Sequence, residues 1–272
     1  MSPSGAGPAF SPARVWAMLL RYLYLLRSSW PRTLELLYWP TLQVLVWGFM
    51  SQFLYHNSTY VARAFGVLLG AVMLWDLLFR SQLGLSISFL EEMWSRNLGH
   101  LFVTPLRAYE WVVSLLAMSV IRVAIGIVPA ALLAIPLYHY SIFAMGLPLI
   151  AFVVVLMVMG WALGLAICGL ILRHGMGAES LAWTVIFALS PVSCVYYPVS
   201  TLPGWLQPVA WSLPQTYVFE GMRAVLFHGT FRTDYFLAAA ALDILYLGVG
   251  ITLFFIAFRG ARRRGALLQM GE

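Results

Sequence analysis

Apolar residues run almost continuously along this chain, in stretches too long for the interior of a soluble domain. A helix needs about 20 mostly apolar residues to cross the roughly 30 Å core of a bilayer. Six stretches approach that length: residues 35–56, 62–84, 110–137, 143–172, 179–199 and 235–258. The third is interrupted by Pro129 and Pro136. The fourth carries Gly160 and Gly164 at a spacing that lets helices approach closely, and packing inside the bundle is their expected use. Ahead of these, residues 11–30 read as an amphipathic helix. Trp16, Leu19, Leu20, Leu23 and Leu26 fall on one side, with Arg14, Arg21 and Ser28 on the other and Arg27 adjacent. Such a helix suits the headgroup layer. A signal peptide fits less well, because Arg21 interrupts its apolar core and no small-residue cleavage site follows. The pattern divides the chain into an N-terminal tip and interfacial helix (1–34), a six-span domain (35–258) and a basic tail (259–272).

Composition sharpens this reading. Hydrophobic residues make up 62% of the 272 and charged residues 10%, against about 45–50% and about 25% in soluble domains. So few charges cannot cover a water-facing surface, which excludes a soluble globule and disorder alike. A β-barrel would alternate apolar and polar positions, and these runs do not. The expected class is an all-α polytopic membrane protein.

All 16 basic residues are arginine. Without lysine there is no P-loop, whose lysine must reach the β and γ phosphates, and no Schiff-base chemistry. If ATP drives this protein, another chain binds it, with its Mg; no cofactor is expected in this chain. The net charge of +6 is spread along the sequence beside apolar spans, so it points to membrane orientation rather than nucleic acid. With the N-terminus inside, twelve arginines fall in cytoplasmic segments. Only Arg63, Arg223 and Arg232 fall outside, and Arg122 lies within a span. That bias places both termini in the cytoplasm. The two cysteines, Cys168 and Cys194, lie in apolar runs and form neither a disulfide framework nor a metal pattern.

Two connections are too long for simple turns. The first, about 85–109 on the cytoplasmic side, interleaves Glu91, Glu92, Arg96, Arg107 and Glu110 with Met93, Trp94, Leu98, Leu101 and Phe102. It suits a short helix across the membrane surface that a soluble partner can reach. The second, about 198–234 on the outer side, is apolar but divided by Pro198, Pro203, Pro208 and Pro214. It predicts a re-entrant or interfacial helical hairpin over 198–228.

These two segments carry a family resemblance. Gly99-His100-Leu101-Phe102-Val103-Thr104-Pro105-Leu106, preceded by Glu91 and Glu92, resembles the coupling segment of ABC type-2 exporter permeases. His100 stands where the family usually has threonine, and Ser95-Arg96-Asn97 replaces a more charged run. Tyr197-Pro198-Val199-Ser200-Thr201-Leu202-Pro203-Gly204-Trp205-Leu206, followed by Pro214-Gln215-Thr216-Tyr217, Glu220 and Arg223, is similar to the family's external hairpin. The resemblance implies a half-transporter in the bacterial inner membrane. Two permease copies, alike or related, enclose a path above two separate ATP-binding-cassette subunits. It implies amphiphilic, lipid-linked or glycan cargo, and it makes 91–107 the element that the motor pushes. Within that segment Glu91, Glu92, Trp94, Arg96, Gly99, Leu101, Phe102, Thr104 and Pro105 are the expected coupling residues. Trp94, Leu101 and Phe102 would fill a partner's groove, and Glu91, Glu92 and Arg96 would set register at its rim. Pro203, Trp205, Tyr217, Glu220 and Arg223 are candidates for an external gate.

Asp76, Arg122 and Asp243 fall within predicted spans, where a charge costs about 2.5–3.5 kcal/mol unless partnered. Asp76 and Arg80 stand one helical turn apart, and Arg122 is expected to pair with Asp76 or Asp243. These charges serve either an ion pair between spans or a polar contact in a substrate path. No HExxH, GxSxG or Cys-x-x-Cys occurs, and the histidines are scattered, so an intramembrane enzyme lacks a converging constellation. An ion-coupled secondary transporter is the main alternative; it would be supported by inverted repeats, and none is evident.

The orientation is testable by single-cysteine labelling in a background lacking Cys168 and Cys194. Cysteines at Tyr60 and Thr230 should react with an impermeant reagent from outside, and cysteines at His100 and Gly265 should not. The reverse pattern would invert the topology.

Overall fold

In the computed structural model the described residues are 10–57 and 65–265. Arg63, Tyr60, the N-terminal tip to residue 9 and the tail beyond Gly265 lie outside them. The described residues are helical with no strand. Ten α-helices follow in order: α1 (Pro12–Ser28), α2 (Trp30–Asn57), α3 (Phe65–Trp94), α4 (Leu98–Val103), α5 (Ala108–Tyr138), α6 (Leu147–His174), α7 (Leu181–Leu189), α8 (Gln207–Trp211), α9 (Pro214–His228) and α10 (Thr233–Arg263).

Among the described residues, four helices are long and apolar enough to cross a membrane: Gly66–Trp94, Ala108–Tyr138, Leu147–His174 and Thr233–Arg263. α2 has the length, at 28 residues, but dilutes its apolar run with Arg32, Glu35, Gln43 and Gln52. The expected span 179–199 is not one helix. α7 has nine residues, about 14 Å at about 1.5 Å per residue, half of a bilayer core. The chain then turns at Ser190–Pro191 and passes through Cys194 in the left-handed region at φ 54°. Proline lacks the N–H that would continue the ladder. The two prolines of α5 do not interrupt it; Pro129 and Pro136 both sit inside one helix that ends at His139, a left-handed cap.

α3 is the centre of the bundle, enclosed by α2, α5, α6 and α9. Its side chains form two apolar clusters. Toward the α4 end, Phe89 and Leu90 meet Tyr22, Trp111, Phe254 and Phe258. Toward the other end, Leu69, Leu74 and Leu78 meet Ala134, Tyr138, Phe152 and Phe219. Where helix surfaces are all apolar, close approach and interhelical hydrogen bonds hold them together. Ser81 Oγ donates to the Met157 carbonyl at 3.0 Å, and Ser119 Oγ donates to the Ser81 carbonyl at 2.8 Å. Trp161 Nε1 donates to Ser119 Oγ at 3.3 Å. These bonds stitch α3, α5 and α6 together at one level.

Gly160 and Gly164 face α3: a Cβ on Gly160 would sit 2.7 Å from Ser81, and one on Gly164 3.2 Å from the Gln82 carbonyl. Their use is internal packing, as expected. The tightest approach to backbone among the described residues is elsewhere, between α6 and α10, where a Cβ on Gly250 would lie 2.4 Å from the Ala162 carbonyl. Backbone cannot give way there as a side chain can. Gly250→Val should therefore destabilise the fold by about 1–3 kcal/mol, the usual cost of overpacking. Thermal unfolding in detergent would read this, with Gly248→Val, which meets open space, as the control that stays near wild type.

Candidate coupling site

The segment joining α3 to α5 is shaped by its own backbone. α3 ends at Trp94, and Arg96 takes a left-handed φ of 52° that turns the chain. α4 follows, and Thr104 Oγ1 caps it by donating to the Leu101 carbonyl at 2.5 Å. Glu110 then opens α5 by accepting the Arg107 backbone N–H at 3.0 Å, one half of a capping box.

Three carboxylates surround this turn, and each is held by arginines of other helices. Glu110, with no exposure, accepts the Ser11 N–H at 2.9 Å and Arg14 Nε and Nη2 at 2.8 and 2.6 Å. These bonds hold the Arg14 guanidinium above its ordinary pKa, so it stays charged. Glu92, 1% exposed, accepts both terminal nitrogens of Arg21 at 2.6 and 3.0 Å, and Asn97 Nδ2 at 2.7 Å. Such forked pairs fix orientation as well as distance. Glu91 takes Arg32 of α2 at 3.4 Å and Arg122 of α5 at 3.0 Å. Between the first two pairs, Trp111 Nε1 donates to Tyr22 Oη at 2.8 Å.

The N-terminal helix therefore faces differently from the sequence reading. Its arginines do not point to water opposite an apolar, lipid-facing side. Arg14 and Arg21 lie beside the buried Met18, Leu19, Tyr22 and Leu26 and turn toward the protein, while Trp16 is exposed. The buried carboxylates Glu92 and Glu110 draw them inward. The same pairs correct the expected layout of 91–107. Glu92 points inside rather than to a partner's rim. Leu101 is buried, and Phe102 packs on Trp111 and Phe258 with ring centres 5.5 and 4.8 Å apart. What the segment offers outward is Trp94, Arg96, His100, Val103, Thr104 and Pro105. Gly99 is half-buried, and Trp94 Nε1 donates to Glu179 at 3.1 Å.

The intramembrane charges are also redistributed. Arg122 pairs with neither Asp76 nor Asp243. Its side chain leans back toward the N-terminal end of α5, as helical side chains do, and reaches Glu91. Asp76 pairs with Arg80 at 2.6 Å, one turn along α3. Asp243 is 4% exposed, and its Oδ1 has no hydrogen-bond partner among the described residues. Asp76 also lines a narrow cleft with Pro40, Gln43, Val72 and Ile127, between α2, α3 and α5.

At the other end, Glu220 and Arg223 form an ion pair at 3.1 Å that grips the irregular chain after α7. Arg223 donates to the Cys194 and Val195 carbonyls at 3.0 and 3.4 Å, and Glu220 accepts the Val199 N–H at 2.7 Å. Tyr217 packs between Trp211 and Tyr235, while Trp205 is 75% exposed and Pro203 stands at the surface beside it. Sequence reading missed Arg14, Arg21 and Arg32 as partners of the 91–110 segment. The signal was present in three acidic residues beside an apolar run with too few local cations.

A family model described as ABC-2 type transporter matches residues 15–227, most of the chain. No curated protein matches it.

Arg21→Leu should strand Glu92 and destabilise the protein by about 1–3 kcal/mol, the cost of an unsatisfied buried acceptor. Adding Glu92→Leu should recover most of the loss. A double-mutant cycle read by thermal unfolding decides it, and strict additivity would refute the coupling of the pair.

Proposed function

The chain belongs to the ABC-2 type transporter family, the membrane permease subunits of ATP-binding-cassette transporters, and from that membership we propose an ATP-driven exporter half. Two copies, identical or related, would enclose a path for an amphiphilic, lipid-linked or glycan substrate. Separate ATPase chains would supply ATP and Mg, and this chain would carry no catalysis of its own. We place it in a bacterial inner membrane with both termini in the cytoplasm. The six crossings would be α2, α3, α5, α6, a discontinuous passage through α7 and the turns after it, and α10. The segment 198–228 would be a hairpin dipping in from outside, with Glu220 and Arg223 as its latch.

One observation carries the coupling role. The tip at Trp94–Pro105 is tied by Asn97 to Glu92, whose forked pair with Arg21 joins the end of α3 to α1, while Arg14–Glu110 joins α1 to α5; Phe102 packs the tip on α5 and α10. A push on that tip would move α1, α3 and α5 as one body, because ion pairs fix the tip's direction and packing fixes its depth. A partner would meet Trp94, Arg96, His100, Val103, Thr104 and Pro105, with Val103 86% exposed as the apolar anchor. Leu101 and Phe102 would transmit the motion from inside.

The test is co-purification with the candidate ATPase, followed by ATP turnover and transport in liposomes. Val103→Asp should weaken assembly. Phe102→Ala should leave assembly and basal turnover intact but lower transport about tenfold or more, since the lost packing belongs to transmission. Arg96→Gln should do less, as rim charges contribute about 0–1 kcal/mol. Transport by the isolated chain on an ion gradient would replace this reading with a secondary transporter.

A further inference from the structure

Glu91 is shared by two arginines, Arg32 of α2 and Arg122 of α5, so the triad carries one uncompensated positive charge. Its two cations differ in exposure. Arg122 is more than nine-tenths buried, and its Nε has no hydrogen-bond partner. Arg32 has 48% of its side chain exposed and holds Glu91 by one long contact of 3.4 Å. The triad sits at the elbow where α1 meets α2. Exposed Arg27 adds a second positive charge there, exposed Glu35 one turn beyond Arg32 offsets one and leaves the elbow at +1, and Trp30 and Leu34 stand out at 74% and 54% exposure. A net cation, an unfilled buried donor and an aromatic–aliphatic rim thus meet at the start of α2.

We propose that this notch binds the headgroup phosphate of an anionic phospholipid in the leaflet on the α4 side. Arginine suits phosphate because its planar fork offers parallel donors and it sheds water readily. Trp30 lies at the level where tryptophans hold to the headgroup boundary, and Leu34 faces the start of the acyl chain. The lipid phosphate takes Arg32, whose tie to Glu91 is the weakest in the site, and leaves Glu91 to Arg122. The bound headgroup then braces the α1–α2 elbow, and Glu91, at the end of α3 that leads into the tip, is left to Arg122 alone. The inference needs only that the helices span a bilayer; it stands whether or not the chain exports anything.

The experiment uses the full chain, without any ATPase, in nanodiscs of equal phosphatidylglycerol and phosphatidylcholine. Lipid retained after mild detergent extraction is counted by native mass spectrometry. The wild type should retain phosphatidylglycerol over phosphatidylcholine by about tenfold, as two interfacial arginines warrant. Arg32→Gln should bring the ratio near parity. Arg232→Gln, an exposed arginine paired with Asp234 at the opposite end, should not change it. Glu91→Gln separates this site from a merely structural hub. It raises the positive charge of the triad, so phosphatidylglycerol retention rises, whereas a hub with no lipid role would show no gain. Equal retention of the two lipids by the wild type, or a preference that survives Arg32→Gln, overturns the proposal. Displacement of the lipid by millimolar inorganic phosphate would mark a free-anion site instead and overturn it as a lipid site.

Discussion

Glu92 and Glu110 are among the most deeply buried side chains in the protein, and a carboxylate without water is tolerable only where a cation and N–H donors replace it. Removing an ion from water costs several kcal/mol, and a forked arginine offsets that only in good geometry. The positions of α1, the end of α3 and the start of α5 follow from this requirement. Arg14 must reach Glu110 and Arg21 must reach Glu92, two turns apart on the same helix. α1 is thereby laid across the base of the bundle in one register, with Tyr22 dropped between the pairs onto Trp111. Neither pair is replaceable by a loose surface contact, because both carboxylates are almost fully withdrawn from water.

The rest of the bundle is held by a different force. Along α3, α6 and α10 the contacts are apolar or made by glycine and serine, so helix axes approach until backbone meets backbone. That contact is insensitive to charge and intolerant of added volume. The protein thus combines a rigid apolar body with an ionic base, and the 91–107 segment belongs to both. Its acidic end joins the ionic base, and Leu101 and Phe102 join the apolar body. The opposite end is built differently. After α7 the chain runs in turns rather than a continuous helix, and Glu220 accepts the Val199 N–H while Arg223 donates to the Cys194 and Val195 carbonyls. In an apolar medium an irregular segment survives only with such partners, which explains why a charged pair stands in α9 where apolar residues would otherwise do.

Asp243 stands apart from both arrangements. Gly250, two turns further along α10, lies against α6, and Asp243 is buried on the same helix without an ion partner among the described residues. Asp76, by contrast, is neutralised by Arg80 before any other helix contributes. Spacing alone decided that pair, since residues four apart on a helix are neighbours.

The sequence by itself determined the helical class, most of the long helices and the short-range pairs Asp76–Arg80 and Glu220–Arg223. These depend on local quantities: apolar run length, proline placement, the four-residue spacing of Asp76 and Arg80, and the three-residue spacing of Glu220 and Arg223. Family membership was legible for the same reason, through the Val103-Thr104-Pro105-Leu106 and Pro214-Gln215-Thr216-Tyr217 stretches. Only the tertiary structure decided the long-range partners. Arg122 had Asp76, Asp243 and Glu91 as carboxylates on other helices, and depth along a span pointed to the first two; the lean of its side chain along α5 selected Glu91. The facing of α1 was equally hidden, because a helical period gives the faces but not which of them meets protein. Buried carboxylates 71 and 96 residues away turned the arginine face inward. The continuity of residues 179–199 was the last such decision: hydropathy measures transfer from water, not whether each peptide group keeps its hydrogen bond, and at Ser190–Pro191 the ladder ends.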